Sequence, residues 1–157
     1  MTKLTHLDGE GNARMVDVGH KQSTTREAVA EGFIQLTEAA YQAVSAGDVP
    51  KGDVLRIAQI AGIQAAKKTS DLIPLCHPLQ LTGIKVMLSL EKENRIRAWA
   101  RVRCLGPTGV EMEALTAVSG ALLCVYDMLK AIDKGMAIGP VVLVEKTGGK
   151  SGDWHRA

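Results

Sequence analysis

Aromatic side chains are scarce in this sequence, with one Phe, two Tyr and two Trp among 157 residues. A platform for stacking successive bases is therefore thinly supplied, and the core has to be aliphatic. Charge of one sign is lacking too. Nineteen Lys and Arg against seventeen Asp and Glu leave a net of +2, too little for a nonspecific nucleic-acid or anionic-membrane binder, so any basic function must be local. Cysteine is sparse: Cys76, Cys104 and Cys124 form no CxxC pair, and their odd number argues for reduced thiols rather than a disulfide framework. No apolar run approaches the roughly 18 residues of a bilayer span, and the stretch MTKLTHLDGEGNARMVD has no apolar core behind Lys3. The expected location is the cytoplasm, with no membrane and no nucleic acid as partner.

What remains is a chain with 46% hydrophobic content, enough for one compact domain that buries roughly two thirds of its unfolded surface. Residues 1–14 are expected as a flexible arm and 15–157 as the domain, opening with a short extended piece at Ala13 to Val18. From Arg26 to Leu36 two readings compete: Thr24 with Glu27 resembles a capping box and Val29, Phe33 and Leu36 have helical spacing, yet Ala28, Ala30, Gly32, Ile34 and Leu36 alternate strictly. Gly32 sits badly inside a helix and Thr37 offers a fresh N-cap for a helix through Ala46, so a strand is predicted here. Asp53 is the natural N-cap of a second helix to about Lys67. TSDLIPLCHP, with Pro74 and Pro78, reads as an ordered loop. Ile84 to Leu90 and Ile96 to Val102 alternate on either side of EKEN and predict an antiparallel hairpin. Thr108 is expected to cap a long helix from about Gly109 to Lys134, followed by a strand from Pro140 to Lys146 and a closing loop or tail, GGKSGDWHRA. This order predicts an α+β, ferredoxin-like sandwich: a four-stranded antiparallel sheet with helices packed on one face. The bare face then carries either the arginines of the second hairpin strand or a partner subunit.

Several residues offer chemistry. Asp127, Lys130 and Lys134, at i, i+3 and i+7, share a helix stripe, as a proton-transfer pair with a neighbour or as a solvated ion pair on an exposed face. Glu111 and Glu113 suit the positive end of a helix dipole, and carboxylates also pair with the amidine edge of a guanine or pterin. His77 stands on an extended loop limited by Pro78, and its side chain and that of adjacent Cys76 should diverge. A zinc site from Cys76, His77, Cys104 and Cys124 lacks paired ligand spacing, so no metal ligand is assigned. Lys51, Lys67, Lys146 and Lys150 lie near glycine turns or helix ends, where phosphates bind. GGKS is no Walker loop, because Val144 stands where the first glycine belongs. Arg95, Arg97, Arg101 and Arg103, interleaved with Trp99, form a stripe that offers RNA an open sheet, the alternative function.

KGDVLRIAQIAGIQAAKKTSDLIPLCHPLQLTG, TGVEMEALTAVSGALLCVYDMLKAIDK and EKTGGKSG resemble the signature blocks of the cyclic pyranopterin monophosphate synthase family, from about Met15 to Trp154. The resemblance implies a phosphorus-oxygen lyase of molybdenum cofactor biosynthesis. Its substrate would be (8S)-3',8-cyclo-7,8-dihydroguanosine 5'-triphosphate, rearranged to cyclic pyranopterin monophosphate with release of diphosphate. It also implies a catalytic Asp127 and Lys130 pair, with Lys51 as a second acid/base or phosphate group. Leu75, Cys76, His77, Met112 and Glu113 would contact substrate, together with Glu111, and Lys21, Arg26, Lys67 and Lys146 would hold phosphates. No organic cofactor is implied, although Mg²⁺ can accompany the triphosphate. The implied assembly is a homohexamer, a trimer of dimers. A proton-transferring lysine is expected with its pKa lowered by burial or by other lysines. Lys51, His77, Asp127 and the GGKSG tail should leave so small a sandwich in different directions, so each site is expected to draw residues from two subunits.

Overall fold

The computed structural model describes residues 6–157. Strand β1 (Thr24–Gln35) leads into helices α1 (Glu38–Ala46), α2 (Val54–Ala66) and the single turn α3 (Thr69–Leu72). The hairpin of β2 (Leu81–Glu91) and β3 (Arg95–Gly106) precedes the long helix α4 (Glu111–Leu129), then β4 (Ala137–Thr147) and β5 (Trp154–His155). All strands pair antiparallel in one sheet of order β2-β3-β1-β4-β5.

Local chemistry explains most of these elements. The Thr37 hydroxyl accepts from the Ala40 amide and the Asp53 carboxylate from the Arg56 amide, so both signalled caps form. Left-handed Glu93 and Asn94 reverse the hairpin. Alternation then divides the sheet. Ala28, Ala30 and Ile34 of β1 and Ile96, Ala98, Ala100 and Val102 of β3 are fully buried in the core shared with α2 and α4. That core needs small residues where backbones approach. A Cβ on Gly62 would lie 2.9 Å from the Ala117 carbonyl, and one on Gly120 would lie 2.4 Å from Ala65 Cβ, so α2 and α4 cross almost backbone to backbone. Gly62→Ala is accordingly expected to cost about 1–3 kcal/mol by overpacking, read as a lower urea midpoint. An unchanged midpoint would mean that the two helices part freely.

The opposite face carries the arginines, and they are already partnered. Arg97 Nη2 lies 2.6 Å from Glu31, Arg101 Nε 3.3 Å from Glu27, and Arg103 is paired with Glu27 as well. Arg95 stacks over Phe33 and Arg101 over Trp99, at 5.0 and 5.2 Å from the ring centres. Val29 is only 2% exposed on this face, opposite Arg101.

The structure corrects several expectations. The sheet has five strands rather than four, because the tail folds back: Asp153 accepts from the Gly148 amide at 3.0 Å and the Arg156 amide donates to the Val144 carbonyl at 2.8 Å. TSDLIPLCHP opens with the helical turn α3, where the buried Thr69 hydroxyl donates to the Ala66 carbonyl. Thr108 caps nothing, since α4 begins after Val110 without a side-chain cap, and it ends at Leu129 rather than near Lys134. Beyond Leu129 the chain turns away because the Asp133 carboxylate takes the amides of Thr37 and Gly135, at 2.9 and 2.7 Å. In the N-terminal arm, residues 1–5 lie outside the described residues, while 6–14 close a tight turn: Asp8 accepts from the amides of Glu10 and Asn12, and Leu7 bridges Ala13. By length and composition α4 could cross a bilayer, but nine of its residues are buried, among them Ala114, Val118, Leu122 and Val125, which belong to the core cluster.

Candidate active site

Two groups of side chains gather at the two ends of α4. Lys51 stands in the turn before the Asp53 cap and reaches across to the C-terminal end of that helix. Its Nζ donates to both Asp127 Oδ2 and the Asp127 backbone carbonyl, each at 2.9 Å. Lys130, the C-cap of α4, brings its Nζ within 2.6 Å of Asp127 Oδ1. One carboxylate thus grips two ammonium groups, and all three side chains are about half exposed, at 48, 57 and 54% for Lys51, Asp127 and Lys130. The Lys130 hydrogen bond, then that of Lys51, pulls the Asp127 pKa from its ordinary 3.8 to about 2. In return Asp127 pushes the Lys130 pKa up. The expectation of a lysine lowered by burial is overturned for this amine, because its hydrogen-bonded anionic partner favours the ammonium form.

Folding favours the Asp127 carboxylate, so its share of stability is complete above its ordinary pKa and is lost as pH falls toward 2. A carbon-13 titration of the Asp127 carboxyl is expected to show a midpoint near 2, rising toward the ordinary value in Lys130→Ala. A midpoint near 3.8 in the unaltered protein would mean that these ion pairs do not persist in solution.

At the N-terminal end, Leu75, Cys76 and His77 meet Glu111, Met112 and Glu113 around a cavity of about 280 Å³ that Val16, Val18 and Lys21 also line. Cys76 and His77 both line this hollow, where the chain turns: the Cys76 amide donates to the Ile73 carbonyl at 3.1 Å. His77 Nε2 lies 2.6 Å from the Val16 carbonyl, which can only accept, so this nitrogen carries the proton. Glu113 is 4% exposed. Burial pushes its pKa up, with nearby Glu111 adding to the rise. Burial, then Glu113, pushes the Cys76 thiol up. Glu113 also borders the hollow lined by Lys67. Lys146 lies 3.6 Å from Glu111 and donates to the Ser151 hydroxyl at 2.8 Å. Lys21 and Arg26 border a wider hollow with His20, Gln22 and Lys150, and Arg26 donates to the Pro107 carbonyl at 3.3 Å.

Every residue expected to contact substrate thus lies at or near one end of α4, and the proposed acid/base residues at the other. The axial separation of Glu113 and Asp127 is about 21 Å at 1.5 Å per residue. Lys51 and Asp127 do not leave the sandwich in different directions but touch. Sequence reasoning missed Tyr126, Val16 and Val18 as cavity walls. For the two valines no sequence signal was available, whereas Tyr126 adjoins Asp127 at a helix end and can be found from that. Among the described residues, no group of three or more His, Cys, Asp and Glu side chains is arranged to hold a metal ion.

Among solved structures, a mutant of the ferredoxin protease FusC in complex with Arabidopsis ferredoxin superposes with a TM-score of 0.38 and 15% identity. The match covers 66% of this chain and 10% of that one, so the chain spans about a tenth of that protein, and this likeness carries no argument. A family model matches far more decisively, over residues 15–149: the chain belongs to the MoaC family, the family of cyclic pyranopterin monophosphate synthase, which works in molybdenum cofactor biosynthesis.

Proposed function

We propose that the chain is a phosphorus-oxygen lyase that converts (8S)-3',8-cyclo-7,8-dihydroguanosine 5'-triphosphate to cyclic pyranopterin monophosphate and diphosphate. The observation that carries this reading is the Asp127 carboxylate held between two amines, with Lys51 at 2.9 Å and Lys130 at 2.6 Å. Ring opening requires protons to be delivered to and taken from nitrogen and carbon. Lys130 and Lys51, the two amines that Asp127 holds in place, would carry them. When the cyclic phosphate closes, a hydroxyl oxygen bonds to the α-phosphorus, its proton passes to a base, and the bond to the bridging oxygen breaks. Diphosphate leaves with the electron pair, and clustered ammonium groups stabilise the charge it gains. Glu113, Cys76 and His77 would receive the purine-derived ring, with Lys21, Arg26, Lys67 and Lys146 beside them for phosphates. No organic cofactor is needed for these steps, and Mg²⁺ can accompany the triphosphate.

One chain holds these two groups about 21 Å apart on its own α4, too far for one small substrate to touch both. This supports an assembly in which the acid/base end of one subunit meets the ring pocket of another, as in a hexamer built as a trimer of dimers. The order β2-β3-β1-β4, antiparallel throughout, likewise supports a ferredoxin-like arrangement extended by β5. Pairing of Arg97, Arg101 and Arg103 with Glu27 and Glu31 argues against RNA on the open sheet face. The test is to supply the cyclised guanosine triphosphate to the purified protein and measure diphosphate and pyranopterin. Stoichiometric release of both is expected, and folded protein that releases neither would overturn the reading.

A further inference from the structure

The cavity around Asp127 holds a cation to which neither the resemblance nor the reading above gives a task. Lys134 lines it with Lys51, Tyr126 and Lys130. Lys51 and Lys130 are both paired with Asp127, whereas Lys134 makes no ion pair among the described residues. Three ammonium groups against one carboxylate leave the cavity with a surplus of two positive charges, and of the three amines Lys134 is the one with no ion-pair partner among the described residues.

The turn that presents Lys134 is built rather than loose. The Ile132 and Asp133 amides donate to the Leu129 carbonyl at 2.8 and 3.0 Å. On either side of Lys134, buried Asp133 accepts from the Thr37 and Gly135 amides. The Tyr126 hydroxyl, from α4, donates to the Lys134 carbonyl at 2.9 Å. The Lys134 backbone is thus held from both sides while its side chain stays exposed, so binding an anion orders only the side chain.

We propose that Lys134 binds the terminal phosphates of the triphosphate substrate and then the departing diphosphate, with Tyr126 as the residue that positions it. The inference rests on the lyase reading and deepens it. Asp127 offsets much of the charge on Lys51 and Lys130 and leaves them to proton transfer, whereas an oligophosphate needs a charge that no carboxylate has claimed. The Lys134 ammonium grips the outer phosphates equally before and after the phosphorus-oxygen bond breaks, so it acts on affinity rather than on the rate of that step.

The test combines steady-state kinetics on the cyclised guanosine triphosphate with inhibition by inorganic diphosphate, using the full chain. Lys134→Gln is expected to raise both KM and the diphosphate inhibition constant about tenfold, with kcat within about twofold of the unaltered protein. Lys134→Arg should restore most of the affinity, and Tyr126→Phe should raise both constants about threefold by freeing the turn. Unchanged constants in Lys134→Gln, or a fall in kcat at constant KM, would overturn the proposal. If the unaltered protein releases no diphosphate, the lyase reading fails separately. Calorimetric titration with inorganic diphosphate then decides about Lys134: binding about tenfold weaker in Lys134→Gln sustains the anion site, and equal binding removes it.

Discussion

Lys130→Ala is expected to lower kcat by about three orders of magnitude while fold and substrate affinity are kept, the range in which one proton-transferring group acts. The side chain is 54% exposed and its contact is a surface ion pair, so its removal opens no cavity and costs little stability. Asp127 then keeps only Lys51, at 2.9 Å, and the amine left is the one tied to both the side chain and the backbone carbonyl of Asp127. An unfolding transition like that of the unaltered protein, together with product formation at less than a hundredth of its rate, would bear this out. Normal turnover would remove Lys130 from the mechanism.

The second large effect concerns pairs of variants. If each site joins the C-terminal end of one α4 to the N-terminal pocket of another, two inactive variants with lesions at opposite ends should rescue each other. Mixed dimers of Asp127→Ala and Glu113→Ala then contain one intact and one doubly damaged site. With random exchange, about a quarter of all sites are intact, so activity should rise from near zero to about a quarter of the unaltered value. Lys51→Ala mixed with Asp127→Ala should recover nothing, since these two residues touch within one chain. Proven subunit exchange without recovery in the first mixture would mean that one chain supplies the whole site.

The contrast between those two mixtures shows how far the sequence alone reaches. From spacing alone, nothing brings Lys51 to Asp127, because 76 residues separate them. Only the crossing of α2 against α4, with Gly62 set against the Ala117 carbonyl, brings the turn before α2 over the end of α4. The pair of Asp127 with Lys130 was legible, because a spacing of three on a helix is a local matter. Its electrostatic consequence was not. Whether an amine is pushed up or down depends on its exposure and on which oxygen it meets, and here the anion prevails over burial. Lys134 reaches the cavity for a reason different from the one its spacing suggested: the helix has already ended, and a turn pinned by Asp133 and Tyr126 carries it there.

The alternating strands β1, β2 and β3 and the caps at Thr37 and Asp53 followed from the sequence, because side-chain period and cap hydrogen bonds involve residues a few positions apart. So did the aliphatic core, since few aromatics were available to fill it. The fifth strand did not, because two residues carry no period and Trp154–His155 becomes a strand only by docking on β4. The same holds for the site. Its residue types could be read along the chain, but their division between the two ends of α4, about 21 Å apart, follows from the packing of helices and turns over the sheet, which depends on contacts between segments remote in sequence.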